Sequence, residues 1–279
     1  MDLSKLFEEA DQRSRHKSLV DILEEQSLIH TKRVHKAGNN LRASGFGGCL
    51  RANLYRARGY EESYDVGTFL TFEQGHKIHE VIQSLLKDAG VMLSMEEEIE
   101  TIPGVPGHYD GDIKYLGKSL LEIKTVGYGQ FERLFKYGQR QISKKYKIQS
   151  HLYMNKLGRD KVVFLFVNKN RQCSEEFAKE FPGANQQFLE IVVNFDKDFY
   201  EKEIIQRKAE YDKHIAEGTL PVRKDCSECS YCPFLAKCKE DHEAKKIEAK
   251  NLKKLEKESS AQNKSRGAKT PRKKKENTA

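Results

Sequence analysis

Four cysteines within thirteen residues constrain this chain more than any other feature. Cys226, Cys229, Cys232 and Cys238 follow a C-x2-C-x2-C-x5-C spacing, while Cys49 stands far upstream and Cys173 stands alone. The N-terminus, MDLSKLFEEADQRSRHK, is acidic and amphipathic and lacks the apolar core of a signal peptide. No apolar run approaches the roughly 20 residues that a membrane-spanning helix needs. A soluble, cytoplasmic protein is expected, and in that compartment clustered cysteines hold a metal or a cluster rather than disulfides. A fully local four-cysteine zinc knuckle is one such site.

The 279 residues can bury one substantial core, with room for a small accessory lobe and tails. Charged residues are 33% and hydrophobic ones 37%, so part of the chain is expected to stay unfolded. The net charge of +8 is unevenly placed. From Glu243 to Ala279 there are 13 Lys/Arg against 5 Asp/Glu, whereas the other 242 residues hold 37 of each. A charge-balanced globular domain with a basic tail suits nucleic acid as partner.

Along the chain, residues 1–30 read as one or two helices, with an apolar stripe of Leu19, Val20, Ile22, Leu23 and Leu28. Gly45, Gly47 and Gly48 give a tight backbone before Cys49, and Leu50–Arg58 looks helical. Residues 66–90 form the clearest helix, with Phe72, Ile78, Val81, Ile82, Leu85 and Leu86 expected on its buried side. A strand at Glu96–Ile102 ends in a turn over Pro103–Gly107. Two more strands, Asp110–Tyr115 and Ser119–Val126, are joined by a break at Leu116-Gly117-Lys118. Residues 129–157 are helical with Gly138 as a break, and Lys161–Asn168 and Phe188–Phe195 are strands. Lys197–Glu217 is a helix stopped at Gly218. The tail is expected to be helical through Ile247, Leu252 and Leu255 and disordered beyond Ser259. This order implies an α/β sandwich around a mixed sheet.

Chemistry concentrates in residues 107–126, GHYDGDIKYLGKSLLEIKTV. Period-2 alternation puts Glu122 and Lys124 on one strand face, opposite Leu121 and Ile123. Asp110 and Asp112 sit on the adjoining strand. Two carboxylates and a lysine at one end of a hairpin can hold a divalent cation and set a water against a phosphodiester.

Gly107-His108-Tyr109-Asp110 and Glu122-Ile123-Lys124 resemble the G-x-x-D and E-x-K elements of RecB-like nucleases in the PD-(D/E)xK superfamily. Gly75–His79 is similar to that family's G-x-x-x-H element, and Gln149–Tyr153 to its Q-x-x-x-Y element. Cys229, Cys232 and Cys238, with Cys49 in the segment Ser44–Arg51, resemble the ligand set of the family's iron–sulfur subgroup, which includes AddB-type and CRISPR-associated exonucleases. The resemblance spans Ser44 to Cys238. It implies a restriction-endonuclease-like α/β sandwich, a central mixed sheet flanked by helices with an iron–sulfur-stapled lobe. Mg²⁺ or Mn²⁺ would be held by Asp110, Glu122 and His79, with Lys124, Gln149 and Tyr153 completing the catalytic group. The family spacing favours Asp110 over Asp112. A [4Fe–4S] cluster would bind Cys49, Cys229, Cys232 and Cys238, with zinc as the alternative and Cys226 outside the pattern.

The expected organisation is an N-terminal helical extension (1–40), a nuclease domain (41–242) and a basic tail (243–279). The expected function is metal-dependent exonucleolytic cleavage of single-stranded DNA or DNA ends. A helicase, a recombinase or a CRISPR-adaptation protein is the expected kind of partner, since the chain is too short for a fused motor. The competing readings are a non-catalytic DNA-binding or assembly protein on a nuclease scaffold, and a zinc-ribbon DNA-binding protein.

Overall fold

The computed structural model describes residues 18–32 and 41–267. Residues 1–17 of the expected N-terminal extension, and the basic run Arg272–Lys275, lie outside the described residues. The elements in order are α1 (Leu19–Thr31), α2 (Ala43–Phe46), α3 (Leu50–Ala57), α4 (Val66–Asp88), β1 (Met92–Ile102), β2 (Val105–Lys114), β3 (Lys118–Val126), α5 (Tyr128–Tyr137), α6 (Lys144–Leu157), β4 (Lys161–Asn168), α7 (Glu175–Glu180) and β5 (Phe188–Asn194). There follow α8 (Lys197–Tyr200), a π turn at Glu201–Ile205, α9 (Gln206–Ala216), a 3-10 turn at Ser227–Tyr231, and α10 (Leu235–Gly267).

The sheet has the order β1-β2-β3-β4-β5. Its pairs are antiparallel except β3–β4, which is parallel. The crossover joining that parallel pair carries α5 and α6, as a parallel connection requires. The fold is thus a mixed central sheet flanked by helices.

Local chemistry explains the corners. The turn expected over Pro103–Gly107 is confined to Pro103-Gly104, and β2 already begins at Val105. Gly104 has φ +76, the left-handed conformation glycine adopts without steric cost, so the reversal needs no further residues. The β2–β3 turn places Leu116 at φ +52 and Gly117 at φ +87, the double positive φ that matches strand twist. Gly138 separates α5 from α6, and Ser143 caps α6 by accepting the Tyr146 amide at 3.2 Å.

The core cluster joins Ile82 of α4 to Ile113, Leu121, Ile123, Val163 and Val167. Strand β4 is covered almost throughout, as its continuous apolar run implies. One expectation is corrected. In α4, Phe72, Val81 and Leu85 are 44%, 58% and 59% exposed, and only Ile78, Ile82 and Leu86 meet the core. Its inward face is shared with His79 and Gln83, which contact Asp110 of β2. In α1, the apolar stripe is exposed and Ser27 and Thr31 are buried. This helix docks through polar contacts: Thr31 Oγ1 donates to the Tyr64 carbonyl at 3.0 Å and accepts the Tyr64 amide at 2.9 Å.

The chain divides into two compact units. The first runs to Pro221 and resumes at Asp225–Pro233, and it holds the sheet. The second comprises Val222–Lys224 and the chain from Phe234 onward, with α10 as its helix. That helix continues to Gly267, eight residues past the point where order was expected to end. Cys49 and Cys226–Cys232 belong to the first unit, so they sit on the core itself rather than in a separate lobe. No helix among the described residues is long and apolar enough to cross a membrane.

Candidate active site

The ladder between β2 and β3 runs only from Gly111↔Leu121 to Lys114↔Lys118. One step further the register would set Asp110 opposite Glu122, but there the strands part. The Asp110 carboxylate fills the opening: its Oδ2 accepts the Ile123 amide at 2.6 Å. The expected carboxylates therefore meet where the hairpin frays.

Helix α4 supplies one side. His79 Nδ1 lies 3.3 Å from Asp110 Oδ1, and Gln83, one turn on, donates from Nε2 to the Asp110 carbonyl at 2.8 Å. Gln83 belongs to no sequence motif, although an i, i+4 relation to His79 puts both on one face. Helix α6 supplies the other side. Tyr153 donates to the His108 carbonyl at 2.7 Å and is hydrogen-bonded by Gln149. A Cβ on Gly107 would come within 2.6 Å of both Ala43 Cβ and Tyr153 Oη. Gly107 is thus required because Tyr153 packs on the strand leading to Asp110. Tyr146, also missed by the motifs, lays its ring 5.1 Å from Lys124 Nζ.

Asp112 has other duties. Arg159 binds it in a fork, Nε to Oδ1 at 2.9 Å and Nη2 to Oδ2 at 2.7 Å. The two aspartates that alternate in the sequence have different partners, and Asp110 is the one beside His79 and Glu122.

The electrostatics are those of a strongly coupled centre. Glu122 is 1% exposed; Lys124 Nζ donates to its Oε1, while Oε2 is buried with no hydrogen-bond partner. Burial raises the Glu122 carboxyl to about 7, with the Asp110 charge adding to the rise against the pull of Lys124. Burial alone would depress the Lys124 ammonium, but Glu122 and Asp110 hold it above its ordinary value. Burial alone would raise Asp110, but His79, Lys124 and the Ile123 amide hold it below.

Among the described residues, no three His, Cys, Asp or Glu side chains stand as a coordination group. The donors face one another instead, His79 toward Asp110 and Lys124 toward Glu122. The donor types do fit a hard divalent cation: two carboxylates, one imidazole, and one buried carboxylate oxygen that no protein group satisfies.

A second cluster of interest centres on Cys226 and Cys229. Cys49 donates its amide to Glu228 Oε2 at 2.9 Å, which brings it to the 226–232 loop across 179 residues. Cys226 Sγ lies 3.6 Å from Cys229 Sγ, and burial with the neighbouring thiol pushes Cys226 up to about 11. Cys238 lies on α10 in the second unit. Cys173 is half-buried near Asn168 and Gln186, away from both groups.

No family model matches the chain, and no curated protein sequence does. Among solved structures it is similar to SSO0001, at 18% identity over 78% of this chain and 95% of that one, with a TM-score of 0.42. It is similar to the alkaline exonuclease LHK-Exo of Laribacter hongkongensis in complex with dAMP, at 18% identity over 69% and 95%, with a TM-score of 0.46. A phage-related exonuclease from Haemophilus somnus 129PT aligns at 14% identity over 64% and 96%, with a TM-score of 0.39.

Proposed function

We propose that this chain is a divalent-metal-dependent deoxyribonuclease acting as an exonuclease on single-stranded DNA or DNA ends. One observation carries the reading: the buried, unpartnered Oε2 of Glu122, beside Asp110 and His79, with Lys124 on the other carboxylate oxygen. A buried carboxylate oxygen left without a partner costs several kcal/mol unless a cation or proton satisfies it. Asp110 and Glu122 would hold Mg²⁺ or Mn²⁺, with His79 as a further ligand. When bound, such an ion acidifies a water and draws charge from the scissile phosphate. Lys124 steadies the developing negative charge. Gln149 and Tyr153 fix the strand that presents Asp110, and the basic tail adds sequence-independent attraction for phosphates.

The cysteines would hold a structural metal group. The resemblance to the iron–sulfur subgroup implies a [4Fe–4S] cluster on Cys49, Cys229, Cys232 and Cys238. Zinc is favoured by a specific observation, the 3.6 Å between Cys226 and Cys229. Two thiolates sharing one tetrahedral zinc at about 2.3 Å sit about 3.8 Å apart, whereas in a four-iron cubane each iron takes its own thiolate.

The test is degradation of labelled linear and covalently closed DNA with Mg²⁺ or Mn²⁺, with and without chelator. Linear DNA is expected to disappear and closed circles to persist, with the chelator stopping the reaction. Degradation that continues in chelator would overturn the proposal.

A further inference from the structure

The cysteine loop and the carboxylate site are joined through one short path. Glu228, inside the loop, binds the Cys49 amide with one carboxylate oxygen, and its other lies 3.4 Å from Lys145 Nζ. Gly48 leaves room for that carboxylate, since a Cβ there would lie 3.2 Å from Glu228 Oε2. Gly47 is pressed on helix α6: its Cβ would fall 2.8 Å from Lys145 Cα. Arg207 holds the glycine segment from behind, donating Nε to the Phe46 carbonyl at 2.6 Å and Nη2 to the Gly48 carbonyl. Lys145 lies in the first turn of α6, and the next residue is Tyr146, whose ring faces the Lys124 ammonium.

We propose that Tyr146 is the positioning residue for Lys124, and that the cysteine loop sets Tyr146 through the Glu228–Lys145 ion pair. The aromatic face attracts the ammonium and limits where it can swing. Without the ring, Lys124 keeps Glu122 as its close partner and loses its aim at the reacting phosphate. The path from Cys49 to Lys124 uses packed backbone and paired side chains throughout, so a displaced cysteine loop moves the first turn of α6. This inference rests on the nuclease reading, which it deepens.

Two measurements on full-length protein test it. Tyr146→Leu should lower kcat roughly 5- to 30-fold while KM stays within about threefold, and Tyr146→Phe should stay within about twofold of wild type because the ring remains. Glu228→Gln should lower kcat several-fold, and its combination with Tyr146→Leu should be no worse than Tyr146→Leu alone. Independently of activity, reductive methylation followed by mass spectrometry reads access to Lys124. Faster labelling is expected in Tyr146→Leu and Glu228→Gln, but not in Tyr146→Phe. Equal Lys124 labelling in all variants overturns the inference even if no DNA is degraded. Wild-type protein that degrades no DNA overturns only the nuclease reading beneath it.

Discussion

At the scale of single residues, the proposed chemistry turns on which aspartate stands beside His79 and Glu122. Asp110 and Asp112 are two apart in the sequence, but Arg159 occupies Asp112 with a bidentate pair, while Asp110 turns to His79 and Ile123. Asp110→Asn is therefore expected to abolish nuclease activity with little change in melting temperature. Asp112→Asn should act through stability instead, because breaking a buried pair from one side costs about 3–5 kcal/mol; chemical denaturation measures it. A stable Asp112→Asn protein with no activity would reverse the assignment. Gly107→Ala, which drives a methyl into Ala43 and Tyr153, should cost roughly 1–3 kcal/mol. Asp110, Glu122, Lys124 and His79 were all legible as motif residues. Gln83 and Tyr146 were not, because a glutamine and a tyrosine at helix spacing carry no signal until the hairpin they serve is placed.

At the scale of elements, α6 is the member most open to test by pH. His151 is 2% exposed, with Nδ1 2.7 Å from the Lys147 carbonyl and Nε2 accepting the Asp196 amide at 3.2 Å. Only the neutral ring satisfies both contacts, and burial lowers its pKa from the ordinary value. The sign is set by that direction: stability from this group is complete above the unfolded value near 6.5 and is lost as pH falls below it toward the lower folded value. Between pH 7.5 and 5 the melting temperature of wild type should fall relative to that of His151→Gln, since Glu122, raised to about 7, gains stability equally in both as it takes up a proton. In the β2–β3 turn, Leu116 at φ +52 invites Leu116→Asn, expected to gain up to about 1 kcal/mol. Strand and helix positions were readable from periodicity, and Gly138 and Gly218 from their chemistry. Which face α4 or α1 buries was not. Apolar spacing marks a stripe, but in α4 part of the inward face goes to His79 and Gln83, and α1 is held by Thr31 rather than its leucines.

At the scale of the whole molecule, Cys49 and the 226–232 loop close the chain over most of its length. Structural zinc sites contribute roughly 10–16 kcal/mol in small peptides, comparable with a domain's entire stability of about 5–15 kcal/mol, so the metal group proposed for these cysteines would matter for folding. Cys49→Ser and Cys229→Ser are expected to lose bound metal and to lower the melting temperature. Anaerobically purified protein that is brown would identify iron and sulfur, and colourless protein with stoichiometric zinc the alternative. The approach of Cys49 to this loop is what the family resemblance implies, whereas Glu228, which makes that approach, reads in the sequence as an ordinary loop acid. Removing residues 260–279 should weaken DNA binding chiefly at low salt, with a shallower dependence of affinity on salt concentration. The frayed hairpin at the centre of the molecule is tested most directly by a digestion time course of labelled DNA with Mg²⁺ or Mn²⁺, comparing wild type with Glu122→Ala and Lys124→Ala. Degradation by wild type and none by either variant is expected, each folded as judged by melting; undiminished digestion by both variants would contradict the assignment of this hairpin as the catalytic centre.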